Sequence, residues 1–329
     1  MDLSDKVVLI TGGTGSFGRK FAEVLINEYH PKKLIIFSRD ELKQFEMRNW
    51  LDHDSVRYFI GDVRDQGRLH RAFSDVDIVI HAAALKQVPT AEYNPFEAVK
   101  TNIIGAENII NAAIDCDVER VIALSTDKAV NPINLYGATK LCSDKLFIAG
   151  NAYSGGHKTR FSVVRYGNVI GSRGSVIPFF MQHKKNNGYL PITDPRMTRF
   201  WITLEEGVRF VVGCIDNMTG GEIFVPKSPS MKIVDLADII APDMEKKVVG
   251  IRPGEKIHEI LITDSDATRT IEFDDYYLIK PEFALWGKFQ LNGGDPVDEG
   301  FSYASDANAD WMTRERMIEI IHDWKEEYE

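Results

Sequence analysis

Short apolar runs alternate with longer amphipathic stretches over the first 125 residues. Val7–Ile10, Leu34–Phe37, Val56–Ile60, Ile78–His81 and Val121–Leu124 are brief and largely apolar, as expected of strands covered on both sheet faces. Between them Phe17–Tyr29, Asp40–Leu51, Gln66–Phe73 and Asn94–Ile114 carry a helical period. Strand, helix, strand, helix predicts a doubly wound α/β fold: a parallel sheet with crossover helices on its faces.

Beyond about residue 165 the texture changes. Gly167, Gly171, Gly174, Pro178, Gly188, Pro191 and Pro195 crowd together with arginines and aromatics between them. A helical stretch (Leu204–Met218), a strand (Glu222–Val225), a helix (Ile233–Ala241) and the loop Gly250–Lys256 follow. The pattern predicts a doubly wound (Rossmann-type) domain over 1–165 and a smaller α/β domain over 166–280. The smaller domain closes on the sheet's carboxyl edge. Segments around Phe161–Tyr166 and 204–225 are expected to return to the main sheet. A polar tail, 281–329, carries one acidic helix (Thr313–Glu327).

Thr11-Gly12-Gly13-Thr14-Gly15-Ser16-Phe17-Gly18 follows the first strand and opens the first helix. Gly12 permits the tight turn, Gly15 lets backbone approach a pyrophosphate, and Gly18 allows close helix–sheet packing. The helix start then offers unpaired N–H groups to the phosphates, with Thr14, Ser16 and Phe17 beside them. At the end of the second strand stand Ser38-Arg39-Asp40-Glu41-Leu42-Lys43. Ser38 and Arg39, with Lys43 as a second cation, suit a ribose 2′-phosphate, which points to NADP. Asp40 and Glu41 keep NAD open. Asp62 and Val63 are placed for the adenine edge, and His81-Ala82-Ala83-Ala84 puts small residues where a cofactor must lie close.

Composition narrows the partners. Among 329 residues, 39 Lys and Arg face 49 Asp and Glu, a net charge of −10, which argues against a nucleic-acid or membrane-surface binder. An anionic ligand then needs a local pocket of cations. Three cysteines without metal-ligand spacing (Cys116, Cys142, Cys214) read as small core residues of a reducing compartment. No apolar run is long enough for a membrane helix, and Met1-Asp2-Leu3-Ser4-Asp5 is acidic where a signal peptide is basic. A cytoplasmic protein is expected. The histidines are scattered, His258-Glu259 is isolated, and no metal is implied.

Tyr136-Gly137-Ala138-Thr139-Lys140 puts a phenol and an ammonium on one helix face. A cation beside a phenol lowers its pKa, so that it can accept an alcohol proton while hydride leaves the same carbon. Thr126, at the end of the fifth strand, can hydrogen-bond the same oxygen.

Together these motifs resemble the extended short-chain dehydrogenase/reductase family up to about residue 280. Ser125-Thr126-Asp127-Lys128 and Asn131-Pro132-Ile133-Asn134-Leu135-Tyr136 are similar to the inverting UDP-N-acetylglucosamine 4,6-dehydratases. So are Ser38–Lys43, Arg165-Tyr166-Gly167-Asn168-Val169, Gly171–Ser175, Met197-Thr198-Arg199-Phe200-Trp201 and Arg252-Pro253-Gly254-Glu255-Lys256. The resemblance implies C4 oxidation of a UDP-HexNAc, loss of water across C5–C6, return of hydride to C6 and inversion at C5, the opening of a pseudaminic acid-type route. It also implies a homo-oligomer.

That chemistry needs an acid and a base beyond the tyrosine. Asp127 is assigned the C6 hydroxyl, and Lys128 the C5 proton. Retaining relatives carry Glu at the position of Lys128. As a base, Lys128 must be neutral, and neighbouring cations (Lys140, Lys86, the nicotinamide) are expected to push its pKa towards neutrality. For the substrate, the resemblance implies Arg252 and Glu255, with Asn168 and Lys86 deeper in the pocket. Arg173 and Arg199 are added for the pyrophosphate, Thr193 for the uracil edge, and Leu124 and Ser125 for the cofactor. Two other readings stay open. A UDP-sugar C4 epimerase or 4-ketosugar reductase needs Tyr136 and Lys140 but not Asp127-Lys128, and a non-catalytic NADP sensor needs neither pair.

Overall fold

The computed structural model describes residues 2–186, 188–283, 286 and 293–328. Most of 284–292, part of the expected tail, lies outside them. In chain order the first half comprises β1 (Val7–Thr11), α1 (Ser16–Val24), β2 (Lys33–Ser38), α2 (Glu41–Trp50), β3 (Val56–Ile60), α3 (Gln66–Phe73), β4 (Ile78–His81), α4 (Val88–Tyr93), α5 (Pro95–Val99), α6 (Gly105–Asp115), β5 (Arg120–Thr126) and α7 (Leu135–Tyr153). The second half adds β6 (Arg160–Tyr166), β7 (Asn168–Val169), α8 (Val176–Asn186), β8 (Tyr189–Ile192), β9 (Thr198–Ile202), α9 (Leu204–Asn217), β10 (Ile223–Pro226), β11 (Ser230–Lys232), α10 (Ile233–Ile240), β12 (Glu245–Val248), β13 (Ile260–Ile262), β14 (Thr270–Glu272), β15 (Tyr276–Ile279), β16 (Asp295–Pro296), β17 (Tyr303–Ala304) and α11 (Arg314–Tyr328).

The main sheet runs β16-β14-β15-β10-β6-β5-β4-β1-β2-β3. From β3 across to β10 every pairing is parallel, whereas β15, β14 and β16 join antiparallel at the far edge. All five residues of β1 are buried, so it must be central. Its side chains alternate between two cores. Leu9 joins Phe37, Phe73, Ile109 and Phe147 on one face, under α3, α6 and α7. Val8 and Ile10 join Phe21, Leu25, Val208 and Val211 on the other, under α1 and α9. Each such buried side chain stabilises the fold by about 1.5–3 kcal/mol. The sheet order reverses between β1 and β4, the crevice where doubly wound folds bind ligands.

The chain departs from these expectations in three places. Asn94–Ile114, expected as one helix, is α5 and α6 joined by a single π turn over Lys100–Ile104. In that wider turn the buried Asn102 amide accepts from the Leu85 N–H and donates to the Leu85 carbonyl and the Thr139 hydroxyl. The tail, which carries no recognised motif, is structural. Within it β17 pairs with β13, β16 extends the main sheet, and Met317 and Ile321 of α11 enter a third core with Ile177, Phe180, Trp201 and Leu236. β14 and β15, within the span assigned to the smaller domain, also run in the main sheet. That third core underlies the small sheets β11-β9-β7 and β12-β8.

Candidate active site

The carboxyl ends of the parallel strands open into a cavity of about 840 Å3, lined by both halves of the chain. At its nucleotide end Gly12 adopts φ +67°, and a Cβ there would meet the Ala83 backbone at 2.9 Å. A Cβ on Gly18 would lie 2.4 Å from the Gly13 carbonyl oxygen. The start of α1, at Gly15, has no side-chain cap, so its first N–H groups are left for a ligand. The bare helix start and the glycine cradle fit a dinucleotide pyrophosphate. Thr14, Ser16, Phe17, Ser38, Arg39, Asp40, Lys43, Asp62, Val63, Ala82, Lys86, Leu124 and Ser125 line the same cavity. The Asp40 carboxylate caps α2 through the Lys43 N–H (3.0 Å) and pairs with the Lys43 ammonium (2.8 Å).

At the reactive end, β5 delivers Thr126 and a short 3-10 turn presents Asp127 and Lys128. The Asn134 side chain caps α7 by accepting from Gly137 N–H (2.8 Å), and its amide donates to the Gly254 carbonyl (2.8 Å), tying the 250–256 loop to the helix. The Thr126 hydroxyl donates to Asp127 Oδ1 (2.8 Å) and faces the Tyr136 phenol. Lys128 Nζ donates to the same carboxylate oxygen at 3.0 Å. Behind this wall, Ser125 donates to Asp144 (2.6 Å), which also faces Arg165 at 3.6 Å.

Thr126, Lys128, Tyr136, Lys140, Asn168, Arg173, Thr193, Arg199, Arg252 and Glu255 all line the cavity. The Arg173 N–H donates to Ser16 Oγ (3.2 Å), so the second half closes directly on the glycine loop. Asn168 Oδ1 and Glu255 Oε2 are buried without hydrogen-bond partners among the described residues, as expected of groups awaiting a ligand.

Four expectations are corrected. Asp127 is wholly buried and stands behind the cavity wall. Burial opposes its charge, but the Lys128 ammonium, the Thr126 hydroxyl and Arg199 hold its carboxyl below the ordinary range. It is therefore a carboxylate, and no resting acid for the C6 hydroxyl. Lys128 is not near neutrality. Burial pulls its pKa down, yet the Asp127 and Glu259 carboxylates outweigh burial and raise it above the ordinary value. The Tyr136 phenol is pushed up to about 12 by burial, and the cation opposing this is Lys128 rather than Lys140. Arg199 is buried and donates to the carbonyls of Thr198 (2.6 Å), Ile257 and Lys256 (both 3.0 Å). It braces the 256–259 segment instead of offering an open phosphate clamp. Desolvation lowers the pKa values of Lys140 and Lys86; Asp144 opposes the shift at Lys140, and Lys128 adds to it at Lys86.

The residues that sequence reasoning missed are Glu259 in the cavity wall and Ser305, which holds it. The only signal for Glu259 was a charge three residues past Lys256, directly before the apolar β13.

The fold and site define a dinucleotide-dependent enzyme of the extended short-chain dehydrogenase/reductase class. Residues 8–281 match the family model described as "Polysaccharide biosynthesis protein", and the chain belongs to that family. It is 56% identical over 325 residues to the UDP-N-acetylglucosamine 4,6-dehydratase (inverting) of Campylobacter jejuni strain 81-176, covering 96% of this chain and 97% of that one. It is 45% identical to a UDP-glucose 4-epimerase of Rickettsia canadensis, over 84% of this chain and 83% of the relative. The X-ray structure of Pen from Bacillus thuringiensis superposes with a TM-score of 0.91 at 36% identity, covering 99% of both chains. Among the described residues no helix is long and apolar enough to cross a membrane.

Proposed function

We propose that this protein is an inverting UDP-N-acetylglucosamine 4,6-dehydratase, converting UDP-GlcNAc or a related UDP-HexNAc to a UDP-2-acetamido-2,6-dideoxy-L-arabino-hexos-4-ulose, the first step of a pseudaminic acid-type route. The carrying observation is that Lys128, paired with Asp127, shares one cavity with Thr126, Tyr136 and Lys140. A C4 epimerase needs only the last three. The name of the 56% identical relative supports the same reading.

When bound, the nicotinamide supplies the acceptor of the C4 hydride and its donor to C6. Thr126 and Tyr136 hold the C4 hydroxyl. Tyr136 first releases its phenolic proton to solvent through the open cavity, with Lys128 the cation that favours the phenolate, and then takes the hydroxyl proton. C5 then gives up a proton and the C6 hydroxyl gains one, leaving as water. Lys128 faces the cavity and exchanges protons with the sugar, while Asp127, 3.0 Å behind it, takes and returns them. Lys128 takes the C5 proton and later returns one, so inversion requires the unsaturated 4-ketosugar to present its other ring face to Lys128 before C5 is reprotonated. In the proposed division of labour residues 1–165 hold the dinucleotide, and 166–280 hold the UDP-sugar through Asn168, Arg173, Thr193, Arg252 and Glu255. The tail, 281–329, braces both.

NADP is the proposed cofactor, because the Asp40 carboxylate is already spent on Lys43 while Arg39 remains half-exposed, 3.7 Å from Asp62. Arg39→Ala is expected to weaken NADP binding about tenfold and NAD binding little, read as Kd by calorimetry. The free thiols support a cytoplasmic setting, and exposed Tyr93 and Phe96 on successive short helices suit the face of a homo-oligomer.

Incubation with UDP-GlcNAc in heavy water tests the function. The expected product is a 4-keto-6-deoxy sugar with deuterium at C5 and inverted C5 coupling constants. UDP-GalNAc as product would make the protein a C4 epimerase, and no turnover would leave a binding protein.

A further inference from the structure

Charged groups converge where the 127–129 turn meets the segment before β13. Lys128 Nζ lies 3.0 Å from Asp127 Oδ1 and 3.8 Å from Glu259 Oε1. Arg199 Nε is 3.7 Å from that same glutamate oxygen, and Lys256 Nζ is 3.7 Å from the other one. Glu259 is 2% exposed, and its Oε2 has no hydrogen-bond partner among the described residues. Its backbone is fastened on both sides by Ser305. The Glu259 N–H donates to Ser305 Oγ (2.9 Å), and the Ser305 N–H donates to the Glu259 carbonyl (2.8 Å). Burying a carboxyl is costly unless nearby cations offset the loss of water, so a carboxyl pinned here has to be accounted for by what it faces. Arg199 and Lys256 have other obligations, donating to the backbone carbonyls of Thr198, Ile257 and Lys256, and of Val130. Lys128 is partly exposed to the cavity and, among the described residues, has only carboxylates as ion-pair partners within 4 Å.

We propose that Glu259 is a positioning residue that, with Asp127, holds Lys128 as an ammonium at the cavity wall in the resting protein. Lys128 thereby begins as a proton donor and becomes a base only by passing its proton to Asp127. The proton leaves the lysine nitrogen for the Asp127 carboxylate, giving a free amine and a neutral carboxyl. This deepens the reading of Lys128 as the group that exchanges protons with the sugar, and rests on it. The charged and titratable groups facing Lys128 are Asp127 on its own turn, Glu259 and Lys256 from the segment before β13, Arg199 on β9, Lys86 after β4 and Tyr136 on α7. The cations among them work against the ammonium, and the two carboxylates together outweigh them. Burial and the Asp127 carboxylate raise the Glu259 pKa, against Lys128, Arg199 and Lys256.

The test is the pH dependence of Lys128 acetylation by a competing reagent, read by mass spectrometry on the full chain without substrate. Glu259→Gln keeps the shape and removes the charge. It should lower the pKa of Lys128 by about one unit or more, a tenfold gain in free amine at a given pH. Glu259→Asp, which keeps the charge but withdraws it by one methylene, should give a smaller shift of the same sign and serves if the glutamine variant does not fold. In turnover, the acid limb of C5 deuterium incorporation should move down by the same amount with KM unchanged. A Lys128 profile superimposable on the parent's would overturn the proposal. A shifted profile in a protein that never dehydrates UDP-GlcNAc would instead overturn the proposed function and leave the Glu259–Lys128 coupling standing.

Discussion

Gly137→Ala is expected to lower turnover at least about 100-fold while the protein still folds. A Cβ at Gly137 would sit 2.0 Å from the Lys128 carbonyl oxygen and 2.9 Å from its carbon, both rigid backbone. The position is helical, so the constraint is close approach rather than conformational freedom. Either α7 must withdraw from the 127–129 turn or the turn must move, and both separate Tyr136 and Lys140 from Thr126 and Lys128. A displacement of about 1 Å among groups that must act on one sugar costs roughly 100-fold. The accompanying loss of stability should be about 1–3 kcal/mol, typical of overpacking, or several degrees in Tm. Gly156→Ala is the control, because nothing lies within 4 Å of the added carbon there. Turnover and melting of both variants check the point, and a Gly137→Ala enzyme with parental activity would mean that the two segments need not touch.

The parallel core was legible because its code is local. The five apolar runs and the turn glycines each declare themselves within about eight residues, and Gln66–Phe73 is a helix with those same ends. The residues lining the cavity were legible for the same reason, since most sit in short motifs at strand ends. Their ionisation was not. The ammonium of Lys128 is favoured by the adjacent Asp127 and, in second place, by Glu259, 131 positions further on and held in turn by Ser305 of the tail. Neither Glu259 nor Ser305 carries a pattern of its own. Arg199 misled for a related reason. In sequence it is a cation in an aromatic-rich stretch, and only the fold reveals that three backbone carbonyls of its neighbourhood have already claimed it. Burial and partner count decide charge state, and both are long-range quantities.

Lys128→Met should separate the two halves of the reaction. Methionine keeps most of the aliphatic volume but removes the ammonium, while Thr126, Tyr136 and Lys140 keep their places around the C4 hydroxyl. Oxidation at C4 should therefore persist, visible as reduced-cofactor absorbance in a single turnover with UDP-GlcNAc. Deuterium incorporation at C5 should fall about 100- to 10,000-fold, the range over which a positioned acid or base contributes. Tyr136→Phe should instead lose both steps. Lys128→Met also strands Asp127, whose carboxylate would keep, among the described residues, only the Thr126 hydroxyl as a hydrogen-bond donor and Arg199 as a nearby cation. Breaking a buried pair in this way costs about 3–5 kcal/mol, unless Asp127 takes up a proton. Protonation would relieve the cost, so the variant should be markedly more stable at pH 5 than at pH 8 relative to the parent, measured by urea denaturation. Here the sign follows from the partner: with Lys128 present the Asp127 pKa is depressed and its stabilisation is lost as pH falls, whereas without Lys128 burial dominates and acid stabilises. A Lys128→Met protein that exchanges C5 at the parental rate would transfer the base role to another residue of the cavity wall, of which Glu259 is the nearest carboxyl that lines it.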